Sequence, residues 1–206
     1  MNQECPHQSP DLSLTLKLNR VPNFCQILQG GFQIDVRVGC SIRQLLCEQL
    51  NLDSGYVENR ISTIFLDGKP VDDMETAIVN EGSILALSAA MPGLVGATMR
   101  RGGYYAKFRS VISHQQSGVA SELAERAITV KLFNVLAEEL GPVFLARGAR
   151  LKALDLKVFL ENRSPDFWES LEWAQLNDKE MELEELQQTN WLEGHDFVVL
   201  RIVLPV

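Results

Sequence analysis

Leu12, Leu14, Leu16 and Leu18 alternate with Ser13, Thr15 and Lys17, the period-two signature of a half-buried strand. Residues 19 to 31 are rich in turn formers and end in Gly30-Gly31. Alternation then resumes, with Phe32, Ile34, Val36 and Val38 set against Gln33, Asp35 and Arg37, so a second strand able to pair with the first is predicted. Ser41-Ile42-Arg43-Gln44 has the form of a capping box, in which the Ser41 hydroxyl and the Gln44 amide satisfy free amides at a helix start. Behind it Ile42, Leu45, Leu46 and Leu50 fall at helical spacing and predict one apolar face. Ile61 to Leu66 is rich in strand formers, and Asp67-Gly68 before Pro70-Val71 reads as a hairpin turn that needs positive φ. A further turn at Glu81-Gly82 leads into Ile84 to Leu87, a continuous apolar run of the kind expected in a strand buried on both faces. The predicted order is β-β-α-β-β.

The second half follows the same plan. Ile128, Val130 and Leu132 alternate with Thr129 and Lys131, and a turn is predicted at Gly141-Pro142, before Val143 to Leu145 and the Arg147 to Leu151 region. Asp155 is placed to cap a helix carrying Leu156, Phe159 and Leu160. Ser164-Pro165-Asp166 opens a short helix with Phe167, Trp168 and Leu171. Leu176-Asn177-Asp178-Lys179-Glu180-Met181 parallels Leu66-Asp67-Gly68-Lys69-Pro70-Val71. Glu193-Gly194 and the run Phe197 to Ile202 parallel Glu81-Gly82 and Ile84 to Leu87; Glu193 lies 112 residues after Glu81. A tandem repeat is therefore expected: a disordered N-terminus over 1–10, a first domain over 11–90, a connecting arm over 91–126 and a second domain over 127–206.

Residues 12 to 97 resemble the ubiquitin-like sulfur carriers, namely the small subunit of molybdopterin synthase and the thiamine-pathway sulfur carrier. The likeness rests on the hairpin Leu66-Asp67-Gly68-Lys69-Pro70-Val71, on the turn and strand Asn80 to Ser88, and on the tail Met91-Pro92-Gly93-Leu94-Val95-Gly96-Ala97. It implies two tandem β-grasp domains of the α+β class. It also implies a protein partner, either an adenylating enzyme or a larger enzyme complex. In that family a terminal Gly-Gly carboxylate is adenylated and converted to a thiocarboxylate. Here Gly102 and Gly103, after Arg100 and Arg101, resemble such an ending but lie inside the chain, so carrier chemistry would require cleavage after Gly103.

Charge changes the picture at one place. The formal charge is −8 over 206 residues, which excludes general nucleic-acid binding, because that needs a cationic surface. No acid occurs between Gly82 and Ser121, whereas Arg100, Arg101, Lys107 and Arg109 all lie there. This cationic arm is expected either to cross the protein's own acidic surface or to receive an anionic partner. Arg100, Arg101 and Arg109 are its candidate charge anchors, and Tyr104, Tyr105 and Phe108 its apolar ones. Tyr104, Phe108, Val111 and Ile112 would give a short helix an apolar face. Pro92, Gly93 and Gly96 supply backbone freedom. They also approximate a strand-glycine-helix order that could receive an anionic small molecule or nucleotide, although neither GxxxxGK[ST] nor GxGxxG is present.

Little else points to chemistry. Cys5, Cys25, Cys40 and Cys47 form no CxxC pair and read as reduced structural thiols; Cys5 with His7 is at most half of a metal site. His7, His114 and His195 have no nucleophile at a recognisable spacing. No catalytic residue, metal or cofactor is assigned. The absence of a long apolar run or a basic-apolar leader predicts a cytoplasmic protein without a membrane span. The leading expectation is a non-enzymatic binding or accessory module, with the cleaved carrier and the anion binder as alternatives.

Overall fold

A computed structural model describes residues 11–19, 24–109 and 124–204; the disorder expected over 1–10 and the roles weighed for Cys5, His7, Val111, Ile112 and His114 lie outside these residues. The class is mixed α+β. The strands are β1 (Leu12–Leu18), β2 (Phe32–Arg37), β3 (Cys40–Ser41), β4 (Thr63–Leu66), β5 (Lys69–Pro70), β6 (Ile78–Val79), β7 (Ile84–Ser88), β8 (Glu125–Phe133), β9 (Ala149–Lys152), β10 (Leu171–Leu176), β11 (Lys179–Met181) and β12 (Phe197–Val203). The helices are α1 (Cys25–Gly30), α2 (Ile42–Gln44, continued as a π-helical turn over Leu45–Gln49), α3 (Ser54–Asn59), α4 (Gly93–Met99), α5 (Val135–Arg147), α6 (Ala153–Glu161), α7 (Pro165–Glu169) and α8 (Leu183–Gln188). Short 3-10 turns cover Tyr104–Arg109 and Asn190–Leu192. The chain forms two compact units, Asn23–Gly141 and Met1–Pro22 with Pro142–Val206.

In the unit Asn23–Gly141 the strands lie in the order β2-β8-β7-β4-β5. β2 and β8 are antiparallel, β8 and β7 parallel, and β7-β4 and β4-β5 antiparallel. Local chemistry sets each junction. Asp67 and Gly68 both adopt positive φ. The Asp67 N–H donates to the Ile84 carbonyl at 2.9 Å, and the Ile84 N–H returns a bond to Asp67 Oδ1 at 2.7 Å, so the hairpin is latched to β7. The capping box is present: the Gln44 N–H donates to Ser41 Oγ and the Ser41 N–H to Gln44 Oε1. Ile42, Leu45 and Leu46 of the helix it starts are fully buried, as are Ile64, Leu66, Leu85, Leu87, Val130 and Leu132 of the sheet. β7 departs from expectation, because Leu85 and Leu87 are buried but Ile84 is exposed; one face of this strand meets solvent.

The other unit has the order β9-β12-β1-β10-β11. β9 and β12 are antiparallel, β12 and β1 parallel, and β1-β10 and β10-β11 antiparallel. Position by position this is the same sheet. Its hairpin turn, Asn177-Asp178, also has positive φ at both residues. The Asn177 N–H donates to the Ser13 carbonyl at 2.8 Å, and the Ser13 N–H donates to Asn177 Oδ1 at 2.9 Å. β1 thus takes the place that β7 takes in the first unit, and β12 the place of β8.

The two units thus share strand order and strand directions, but they are not the successive segments 11–90 and 127–206. β1 pairs with β10 and β12, and β8 pairs with β2 and β7. The physical reason is that alternation specifies a strand with a buried face without specifying its sheet. The leucines of β1 and the Ile128-Val130-Leu132 stripe of β8 suit the same kind of slot.

Two helices also depart from the sequence reading. α1 occupies part of the stretch read as turns and buries Ile27 and Leu28. α5 runs straight through the expected Gly141-Pro142 turn, because Leu136, Ala137, Leu140, Phe144 and Leu145 recur at helical spacing and are all buried, and that burial outweighs the amide lost at Pro142. A Cβ on Gly141 would lie 2.6 Å from Leu28 Cδ1, so this glycine serves the close approach of α1. α6 starts at Ala153, which leaves Asp155 in its first turn rather than at its cap.

Candidate functional site

The arm after β7 is ordered over Gly93 to Arg109 as α4, a turn and the 3-10 segment. Its glycines thread the chain closely. Gly93 and Gly102 have positive φ. Gly96 is buried, and a Cβ there would sit 2.0 Å from the Met91 carbonyl oxygen, so no larger residue fits without moving α4.

The arm's arginines divide into two kinds. The Arg101 N–H donates to the Ser62 carbonyl at 2.8 Å, and its guanidinium donates to the carbonyl and to the carboxylate of Glu58, each at 3.1 Å. Burial first, and then the nearby Arg43 charge, lowers the pKa of Arg101 from its ordinary value. Arg43 pairs with Glu58 and with Glu75, so charges alternate along Glu75, Arg43, Glu58 and Arg101. Arg109 is buried, donating from Nε to the Thr98 carbonyl at 2.6 Å and from its terminal nitrogen to Asp72 Oδ1 at 2.7 Å. Asp72 also accepts from the Gly102 N–H. Of the two roles expected for the cationic arm, crossing the protein's own acidic surface is the one Arg101 and Arg109 perform.

Arg100 and Lys107 are exposed. Tyr104 is 80% and Tyr105 41% exposed, with the rings edge to face at 5.2 Å. The side chain of Phe108 lies outside the described residues. Leu94 and Val95 on α4 are 72% and 69% exposed. Sequence reasoning missed these two; the available signal was an aliphatic pair flanked by glycines, with no apolar repeat to bury it. The arm thus leaves Leu94, Val95, Arg100, Tyr104, Tyr105 and Lys107 accessible and turns Arg101 and Arg109 inward. Gly102 and Gly103 sit in a tight turn, with the Gly103 N–H bonded to the Arg100 carbonyl and the Ala106 N–H to that of Gly103.

Other polar clusters tie the fold together. Glu139 on α5 accepts from the Tyr56 hydroxyl at 2.6 Å and from the Arg60 guanidinium. Gln49 clamps the N–H and C=O of Arg37 and donates to the Cys40 thiol, whose pKa burial raises. Among the described residues, no group of three or more His, Cys, Asp or Glu side chains is placed to hold a metal ion, and no helix is long and apolar enough to cross a membrane. Comparison with protein families, with curated proteins and with solved structures found no match.

Proposed function

We propose that the chain is a non-enzymatic, cytoplasmic binding or accessory protein built from two β-grasp-like units, and that the arm is its contact surface for a protein partner. The observation that carries this reading is that one segment exposes Leu94, Val95, Tyr104 and Tyr105 together with Arg100 and Lys107. Large aliphatic and aromatic groups left in solvent on a well-anchored segment are characteristic of interaction sites. The anchoring by Arg101 and Arg109 presents that surface without the entropy loss of ordering a loose tail.

The carrier alternative fits the structure less well. Cleavage after Gly103 would sever β8 from β2 and β7, between which it lies in the sheet, so maturation would cut through a folded unit. The anion-binder alternative loses two of its cations to Glu58 and Asp72. The sulfur-carrier resemblance is retained as the proposed kinship of the sheet, without the chemistry of the tail.

The test is affinity purification from native cells with wild type and with a Leu94→Asp, Tyr104→Asp variant whose circular dichroism is unchanged. Partners held by wild type should be lost from the variant. Identical partner sets would remove the arm from the account, and a native fragment ending at Gly103 would favour the carrier.

A further inference from the structure

We propose that the partner met by the arm is a second copy of this chain, which docks through the acidic face around α8. With Arg101 and Arg109 neutralised by Glu58 and Asp72, Arg100 and Lys107 are the remaining exposed cations of the 91–109 segment, and neither has an ionic partner among the described residues. The same segment also exposes Leu94, Val95 and Tyr104. This face needs an occupant that is acidic and carries aliphatic surface.

The other unit displays a face of that description. Asp178, Glu180, Glu182, Glu184 and Glu185 are exposed, with Lys179 the one exposed cation among them, and none of the five carboxylates has an ionic partner among the described residues. Leu183, set among these carboxylates at the start of α8, is 37% exposed. Opposite charges flanking apolar groups fix orientation and exclude like-charged neighbours, while the apolar contacts supply most of the affinity. Each copy carries one face of each kind, so the contact is always arm to α8, whether made twice in a two-fold pair or once per neighbour in a ring.

The inference rests on the arm being the contact surface, but its readout is separate. Sedimentation of the full chain at low salt should show reversible self-association that weakens as salt is raised. An Arg100→Glu, Lys107→Glu variant and a Glu184→Lys, Glu185→Lys variant should each associate at least about tenfold more weakly. All four side chains are exposed, and unchanged melting temperatures would verify that both variants fold. Mixed together, the two variants should regain a one-to-one complex, because the first keeps an intact α8 face and the second an intact arm. A monomeric wild type, variants that associate as well as wild type, or a mixture that stays monomeric would each overturn self-docking. Loss of a different partner from the Leu94→Asp, Tyr104→Asp variant would then leave the arm as a contact surface for that partner alone.

Discussion

The two hairpin latches make the same two hydrogen bonds at very different chain separations. Asp67 reaches a strand of the same stretch of chain, Ile84 lying 17 residues away, whereas Asn177 reaches Ser13, 164 residues away. The strand order and directions around the two latches are nevertheless the same. A side-chain oxygen on a turn residue of positive φ captures the end of whatever strand arrives beside it, so sheet geometry is set locally while connectivity is free to differ. The difference also has a kinetic side. Closing a loop of 164 residues costs more entropy than closing one of 17, so the unit holding β1 is expected to complete its sheet later.

The largest effect that could break this comparison comes from core leucines in the two long-range strands. Trp168, Trp173 and Trp191 are the chain's three tryptophans, and all belong to the unit that contains β1. Leu16→Ala should cost about 2–5 kcal/mol, the usual range for a buried leucine, and should lower the urea midpoint read by tryptophan fluorescence. Leu132→Ala in β8 should cost a similar amount in the other unit and leave the tryptophan transition nearly in place. The reverse outcome would mean that the successive segments 11–90 and 127–206 are the folding units.

A smaller effect is expected at the latches. Asn177→Ala removes the bond from the Ser13 N–H and forces alanine into a left-handed conformation, at a cost of about 1–3 kcal/mol, again visible in tryptophan fluorescence. Asp67→Ala should lose a comparable amount with little tryptophan response. Equal responses from the two variants would show that the latches do not report separate units.

The smallest effect belongs to the clamp on α5, which has no counterpart at the Asn177 latch. Arg60 first and then the Tyr56 hydroxyl hold the Glu139 carboxyl below its ordinary pKa. A depressed folded-state pKa gives stability that is fully present above the unfolded value, about 4.3, and that is lost as pH falls through the folded value. The difference in melting temperature between wild type and Glu139→Gln should therefore be largest near neutral pH and shrink below about pH 4. A difference independent of pH would contradict the clamp.

What could be read from the sequence was chemistry confined to a few adjacent residues. The Ser41-Gln44 capping box, the positive-φ turn at Asp67-Gly68 with its parallel at Asn177-Asp178, and the helical faces of Ile42 to Leu46 and Leu156 to Leu160 all depend on side chains and backbone within one turn. Pairings between distant strands were not legible, because the alternation of β1 suits either sheet equally. Pro142 was misleading for a related reason: its local cost is fixed, but the burial that outweighs it comes from the rest of the fold. At the candidate site the cationic character of the arm was visible in the sequence. The division between Arg100, which faces solvent, and Arg101, which is held by Glu58, depends on residues more than forty positions apart.

The central claim is that β1 completes the sheet holding β10 and β12. Ser13 and Val199 are register partners on the parallel strands β1 and β12, and cysteines introduced at both positions test the pairing most directly. Mild oxidation of the folded Ser13→Cys, Val199→Cys chain should give a disulfide-linked peptide pair joining the two strands, found by mass spectrometry after digestion. Recovery of both cysteines unlinked, under conditions that link an Ile84→Cys, Thr129→Cys control across β7 and β8, would contradict it.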